Sequence, residues 1–287
     1  MTLLLLGLSI LLSTGRNLFS KKLSDIRFGT SRFFRYQGLL FLFGGVALLL
    51  FGGISWKAVS AQIWLYALIY GFLLICSQWF YTAALSAGNT ALCSTVYSMG
   101  FILPTLSGAI FWSEPFSLLD FFGVLCAVAA ILFSGKRGRK SEARHNRYFV
   151  PLSVAMLSSG GLGIVQKLQQ KSAYAEERAS FLLIAFLLAA AISLLASSIE
   201  KNKQCVAPQK STVAVAACVG LFFGCCNLLN TILAGRLDSA IFFPSLNIGV
   251  ILLTLLCSIV FYKEKIKKND VLVLLLGSAS ILLLNIW

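Results

Sequence analysis

The chain is short of the residues from which soluble enzymes build their surfaces and active sites. Its 287 residues include 10 Asp and Glu, 1 His and 5 Pro, and charged residues make up 12% of the total. A typical soluble domain carries about 25% charged residues. The lone His145 lies in a basic loop, and the sequence has no HExxH motif and no phosphate-binding glycine loop. An enzyme is therefore not expected, and no cofactor or metal is indicated.

The sequence consists largely of long apolar segments. Hydrophobic residues make up 58% of the chain, in successive runs that approach the roughly 20 residues needed to cross a bilayer as a helix. The sequence predicts an all-α integral membrane protein, with Asp120 and Asp270 capping the starts of the fifth and tenth helices. The ten predicted transmembrane helices are 2–20, 33–52, 60–82, 90–112, 118–135, 148–168, 180–198, 212–234, 239–262 and 270–287.

Positive charge is distributed unevenly between the two predicted sides of the membrane. Of the 24 Lys and Arg residues, 18 fall in loops on one side and 5 on the other. Such an excess marks the cytoplasmic side, so we expect a multi-pass plasma-membrane protein with both termini on the non-cytoplasmic side. Because these charges lie in loops rather than on one basic face, nucleic acid is not an expected partner. Residues 136–147 are the expected cytoplasmic linker.

The two halves of the chain match each other. A shift of 150 residues sets Glu114 against Glu264 and Asp120 against Asp270, and a slightly different shift sets Lys22 against Lys167. Residues 1–135 and 148–287 are therefore predicted to be two five-helix repeats. Since five crossings is an odd number, the repeats must be inverted, an architecture typical of secondary transporters with a binding site near the bilayer midplane.

These segments also resemble a known family. The stretch from Tyr81-Thr82-Ala83-Ala84-Leu85 through Glu114-Pro115-Phe116 to Gly123 is similar to the EamA-like repeat of the drug/metabolite transporter superfamily, and so is 238–264 with the last helix. Gly15-Arg16-Asn17 with Lys22 resembles that family's first-helix pattern. The family's proline about thirteen residues before each glutamate is replaced by Phe101 and Ile251. The resemblance implies ten helices and carriage of small metabolites, often export of amino acids or related compounds.

Polar residues inside the predicted spans are the candidate substrate pathway, because burying them in lipid is costly unless they serve a cavity or a partner. Their amides, hydroxyls and phenols suit a polar, uncharged or zwitterionic solute. Tight packing through small residues and interhelical hydrogen bonds is the alternative, and the Gly220–Gly224 pair is typical of such packing. The candidate pathway residues are Arg16, Asn17, Gln78, Tyr81, Ser94, Tyr97, Gln166, Asn227, Asn230, Asn247 and Thr254.

Two kinds of charged residue need separate interpretation. Arg16, inside the first span, could grip a carboxylate or phosphate with two parallel hydrogen bonds, or could extend to the headgroups at the membrane surface. Glu114 and Glu264 lie at helix ends, where capping of the next helix or pairing with a lysine is favoured. No span carries an acidic residue near its centre, which argues against a proton-coupled mechanism based on such a residue.

The sequence thus favours a secondary carrier, with export as the expected direction, that moves a small polar metabolite such as an amino acid by alternating access. Its expected partners are this solute and the lipid bilayer, and a monomer is compatible with the sequence. The alternative is a lipid or lipid-carrier flippase in which Arg16 and the basic loops hold a lipid phosphate. A membrane scaffold without transport is a third hypothesis.

Overall fold

The structure is a computed structural model that describes residues 1–24, 30–54, 59–87, 93, 96–135, 149–199, 210–262 and 268–285. Over these residues the chain forms ten α-helices and no β-strand, which confirms the predicted all-α fold. Short 3-10 turns at Met99–Phe101 and Ala175–Glu177 lead into the fourth and seventh helices. The helices are α1 (Thr2–Ser24), α2 (Thr30–Phe51), α3 (Ala61–Ala87), α4 (Ile102–Trp112), α5 (Leu118–Gly135), α6 (Phe149–Lys171), α7 (Arg178–Ile199), α8 (Lys210–Arg236), α9 (Ser239–Tyr262) and α10 (Lys268–Asn285).

Most of these helices are long and apolar enough to cross a bilayer. Over the described residues, 7 meet this requirement by length and composition: α1, α2, α3, α6, α7, α8 and α9. Shorter apolar stretches of α4, α5 and α10 cover Val96–Trp112, Leu118–Phe133 and Val271–Leu284. Large apolar side chains such as Phe72, Ile110 and Leu195 lie exposed on the helix surfaces, as is normal where the solvent is lipid. The chain is therefore a multi-pass membrane protein.

The described residues group into two compact units, and each draws on both halves of the sequence. Unit 1 comprises Met1–Ile75 and Gln169–Ile232, and unit 2 comprises Cys76–Leu168 and Leu233–Trp287. In unit 1, α2 packs along α7; in unit 2, α5 packs along α10 and α4 packs against α9. Each of these contacts joins a helix of the first half to the helix at the equivalent position of the second half.

Close helix approach in unit 1 depends on glycine. A Cβ atom at Gly220 of α8 would lie 2.8 Å from the Cβ of Phe43 in α2, and one at Gly224 would lie 2.9 Å from the Cβ of Ala47. Both distances are too short for two carbon atoms, so only glycine permits this separation of the two helices. The packing interpretation of the Gly220–Gly224 pair is confirmed.

The connection from α4 to α5 is fixed at both ends. Helix α4 is followed by Ser113, which adopts a left-handed conformation (φ 50°, ψ 33°), and the Glu114 N–H donates to the carbonyl of Gly108 at 3.2 Å. Helix α5 begins with a reciprocal capping box, in which the Ser117 N–H donates to Asp120 Oδ2 at 2.8 Å and the Asp120 N–H donates to Ser117 Oγ at 3.1 Å. Asp120 therefore caps α5 from its first turn, while the side chain of Asp270 lies outside the described residues.

Candidate functional site

A line of polar contacts joins α1 to α8 in unit 1. Ser9 Oγ donates to Asn230 Oδ1 at 2.5 Å, and Ser13 Oγ donates to Cys226 Sγ at 3.5 Å. One turn further, Arg16 meets Phe223, with its guanidinium carbon 4.1 Å from the ring centroid. The partners descend α8 as they ascend α1, so the two helices are antiparallel. Three successive turns of α1 thus present polar groups to the same face of α8.

The Phe223 ring that contacts the Arg16 guanidinium is held in place by other aromatic rings. Its ring lies 5.3 Å from that of Phe186 and 6.3 Å from that of Phe41, centroid to centroid. Phe223 is 6% exposed, so the ring cannot turn away without disturbing this aromatic cluster. Asn17 follows Arg16 in the sequence, but its side chain is exposed, because each step along a helix rotates the side chain by about 100°.

A second polar contact in unit 1 centres on Asn227. The Tyr70 hydroxyl of α3 donates to Asn227 Oδ1 at 2.6 Å, and Asn227 Nδ2 donates to the Phe223 carbonyl at 2.8 Å. The amide therefore uses its acceptor and its donor group at once. Sequence reasoning selected Asn227 but missed Tyr70, because the two residues are 157 positions apart and no local pattern connects them.

Unit 2 contains a buried ion pair. Lys167 Nζ lies 2.5 Å from Glu114 Oε1 and donates to the Leu237 carbonyl at 2.9 Å. Glu114 Oε2 accepts the backbone N–H of Ser239, the first residue of α9, at 2.7 Å. The expected pairing of Glu114 with a lysine is confirmed, and the helix that it caps is α9 rather than the adjacent α5. Glu264 lies outside the described residues.

The protonation of Glu114 follows from these contacts. Burial raises the pKa of the carboxyl group, whereas hydrogen bonds from Lys167 and Ser239 and the positive charge of Lys167 lower it. The lowering effects prevail, so the pKa of Glu114 lies below its ordinary value. The side chain is therefore a carboxylate at neutral pH and acts as a fixed partner for Lys167.

The other candidate pathway residues of unit 2 differ in their contacts and in their burial. The rings of Tyr81 and Tyr97 pack with centroids 4.5 Å apart, and Asn247 Nδ2 donates to the Phe243 carbonyl at 2.9 Å. The Thr254 hydroxyl is buried and has no hydrogen-bond partner among the described residues. Gln166 is buried and Gln78 is half-buried.

The selected residues do not form a single cluster in either unit. Unit 1 contains Arg16, Asn17, Asn227 and Asn230. Unit 2 contains Gln78, Tyr81, Tyr97, Gln166, Asn247 and Thr254. Ser94 lies outside the described residues. Pro104 of α4 serves packing, because a Cβ at Gly163 of α6 would lie 2.8 Å from its ring. No group of three or more His, Cys, Asp or Glu residues within the described ranges could hold a metal ion.

Comparison with known proteins shows the fold alone. One solved crystal structure, which carries no functional description, is similar to this chain with a TM-score of 0.82 at 17% identity. The similarity covers 98% of this chain and 95% of that one, so it extends over the whole helical arrangement. No family model matches the chain, and no curated protein matches it.

Proposed function

We propose that the chain is a secondary carrier that moves a small polar metabolite, such as an amino acid or a related compound, across the membrane by alternating access. The observation that carries this proposal is the polar face between α1 and α8. It places Ser9, Ser13, Asn230 and the charged Arg16 inside apolar helices. Polar groups at such positions are rare and mark substrate or ion pathways.

The helix contacts support a repeat of the two halves, an architecture typical of secondary transporters. Contacts of α2 with α7, α4 with α9 and α5 with α10 all join equivalent helices of the two halves. A pseudo-two-fold axis in the membrane plane brings equivalent elements together in this way. The interpretation as an EamA-like member of the drug/metabolite transporter superfamily rests on the sequence motifs and is part of this proposal.

Contacts within each unit support the proposed order of crossings, because they bring together loops that this order places on the same side of the membrane. In unit 2, Glu114 after α4, Lys167 near the end of α6 and Leu237 after α8 meet one another. In unit 1, the Ser60 N–H before α3 donates to Glu177 Oε2 before α7 at 3.2 Å. All of these positions are on the non-cytoplasmic side in the predicted topology. The export direction is proposed on the family resemblance, and the plasma-membrane location with both termini on the non-cytoplasmic side is proposed on the positive-inside distribution.

A transport assay tests the proposal directly. The purified full chain is reconstituted in liposomes, and counterflow of radiolabelled amino acids and other small polar metabolites is measured against protein-free liposomes. We expect saturable exchange of at least one solute class. Exchange no faster than in protein-free liposomes across the whole panel would contradict the proposal.

A pair of variants on α8 connects the flux to the polar face. Asn230→Ala removes the acceptor of the Ser9 hydroxyl on this face, and we expect it to lower the exchange rate about tenfold, which corresponds to an activation barrier about 1.4 kcal/mol higher. Cys218→Ala is the matched control, because Cys218 is exposed on the same helix. Equal rates for the two variants would remove this face from the pathway.

A further inference from the structure

Arg16 carries a charge that the described part of the chain does not compensate. The residue is half-buried within the apolar span Thr2–Phe19 of α1. Its guanidinium rests on the Phe223 ring. Among the described residues, no carboxylate pairs with it and no oxygen accepts a hydrogen bond from it. A cation–π contact contributes about 0.5–2 kcal/mol but satisfies none of the N–H donors of the guanidinium.

The depth of the guanidinium in the membrane argues against a headgroup position. Phe223 is the middle residue of the 27-residue helix α8, so the ring beneath the guanidinium lies near the centre of that span. Helical side chains tilt toward the N-terminus of their own helix, which directs Arg16 away from the end of α1 at Ser24. The helix ends eight residues further on, about 12 Å along its axis, and the apolar span of α1 ends at Phe19, about 4.5 Å along the axis from Arg16.

The remaining donors of Arg16 suit an oxyanion. The aromatic ring covers one face of the planar guanidinium and leaves its edge, where the N–H donors lie, available for hydrogen bonding. A carboxylate or a phosphate matches this edge with two parallel hydrogen bonds. The neighbouring groups on the same face are Ser13, Cys226 and Asn230. All three are neutral, so none of them supplies a negative charge that would pair with the guanidinium in place of a bound anion.

We infer that Arg16, held against Phe223, binds an oxyanionic group between the membrane-spanning parts of α1 and α8. If the proposed transport function is correct, on which the choice of solute rests, the carried metabolite bears a carboxylate or a phosphate. The same chemistry is also available from the phosphate of a lipid headgroup. The two sources differ in whether the anion is delivered from water or from the bilayer.

Binding of soluble anions tests the site without any assumption about transport. The full chain in dodecyl maltoside micelles, whose detergent carries no phosphate, is titrated with inorganic phosphate and with pairs that differ in one carboxylate: L-alanine with L-alaninamide, and benzoate with benzamide. Thermal stabilisation is the readout. We expect at least one carboxylate to act at a concentration about tenfold lower than its amide, corresponding to about 1.4 kcal/mol. We expect Arg16→Gln to abolish that difference.

Two further variants make the result specific. Arg236→Gln removes one positive charge from the exposed end of α8 and should leave the difference unchanged. Arg16→Lys keeps the charge but loses the planar, bidentate edge, so an intermediate difference is expected. A carboxylate preference that persists in Arg16→Gln, or is lost equally in Arg236→Gln, overturns the inference.

Lipid composition distinguishes the two sources of the oxyanion. If a headgroup occupies the site, nanodiscs that contain phosphatidylglycerol will stabilise the wild type more than Arg16→Gln, and soluble anions will have no effect. If neither soluble anions nor phosphatidylglycerol stabilise the wild type relative to Arg16→Gln, the site is excluded. Arg16-dependent anion binding without any flux would contradict the transport proposal alone, whereas flux that is unchanged in Arg16→Gln would contradict only this inference.

Discussion

Lys167 and Glu114 form an ion pair in which 1% and 5% of the two side chains, respectively, are exposed, with Nζ and Oε1 2.5 Å apart. Each partner also holds a backbone group: Lys167 binds the carbonyl of Leu237, and Glu114 binds the N–H of Ser239. One pair of side chains therefore connects α6, the α4–α5 connection and the start of α9. Buried ions need this kind of additional hydrogen bonding to offset the cost of leaving water.

Removing the carboxylate should be strongly destabilising. Glu114→Ala removes the carboxylate that neutralises the buried Lys167 charge and accepts the Ser239 N–H, and we expect a loss of about 3–5 kcal/mol in the free energy of unfolding. Glu114→Gln keeps an oxygen that can accept from Ser239, so its loss should be smaller. Unfolding by sodium dodecyl sulfate in mixed micelles measures both.

The double variant Glu114→Gln/Lys167→Met is the control for the charge. Because it removes both ions, it should be more stable than Glu114→Gln alone, in which the lysine charge remains buried without its partner. A double variant less stable than either single variant would show that the polar backbone contacts, and not the charge pair, dominate this site.

The same carboxylate predicts a pH dependence of stability. A carboxyl group whose pKa is lowered in the folded state stabilises the fold above its ordinary value of 4.5 and loses this contribution as the pH falls through the lowered value. The unfolding temperature of the wild type should therefore decline on acidification below about pH 4.5. Glu114→Gln, which has no proton to gain, should show a shallower decline.

Glu176→Gln serves as the reference for that titration, because Glu176 is exposed in the connection between α6 and α7. The unfolding temperature of this variant should decline at low pH in the same way as that of the wild type. If Glu114→Gln and Glu176→Gln give the same pH profile, the carboxylate of Glu114 does not contribute in the way that the contacts indicate.

Much of the fold could be predicted from the sequence because the bilayer fixes the length of each apolar run. The predicted helix 118–135 has the same bounds as Leu118–Gly135, and the predicted helix 239–262 has the same bounds as Ser239–Tyr262. The end of the fourth helix was predicted at Trp112, where α4 ends. In each case a turn or a capping residue directly borders the apolar segment.

The partners of the polar residues could not be predicted in the same way. Glu114 was expected to meet a lysine, but Lys167 and Lys171 lie on the same helix, and only the rotation of α6 selects Lys167. The position of Arg16 over Phe223 depends on the register between α1 and α8, which the sequence of neither helix specifies. Asn17 resembled a pathway residue by its neighbours, yet its own helix turns it outward.

The contact of α8 with α2 predicts a difference between two glycines. Gly220→Ala places a methyl group 2.8 Å from the Cβ of Phe43, so the helices must separate, and we expect a loss of about 1–3 kcal/mol, as is typical of overpacking. Gly7→Ala in α1 is the matched control, since a Cβ there meets no atom within 4 Å. Equal stability of the two variants in a thermal unfolding assay would disprove the close approach of α2 and α8.

The hydrogen bond from Tyr70 to Asn227 should be measurable as a coupling energy. Tyr70→Phe removes the hydroxyl that donates to Asn227 Oδ1, while Asn227→Leu removes the acceptor and its second contact to the Phe223 carbonyl. A double-mutant cycle on unfolding free energies should give a coupling of about 0.6–1.7 kcal/mol, the range for hydrogen bonds between membrane helices. The reference pair Trp64→Phe with Asn227→Leu should be additive, because Trp64 is exposed on α3. A Tyr70–Asn227 coupling no larger than that of the reference pair would mean that the bond does not join α3 to α8 in the folded protein.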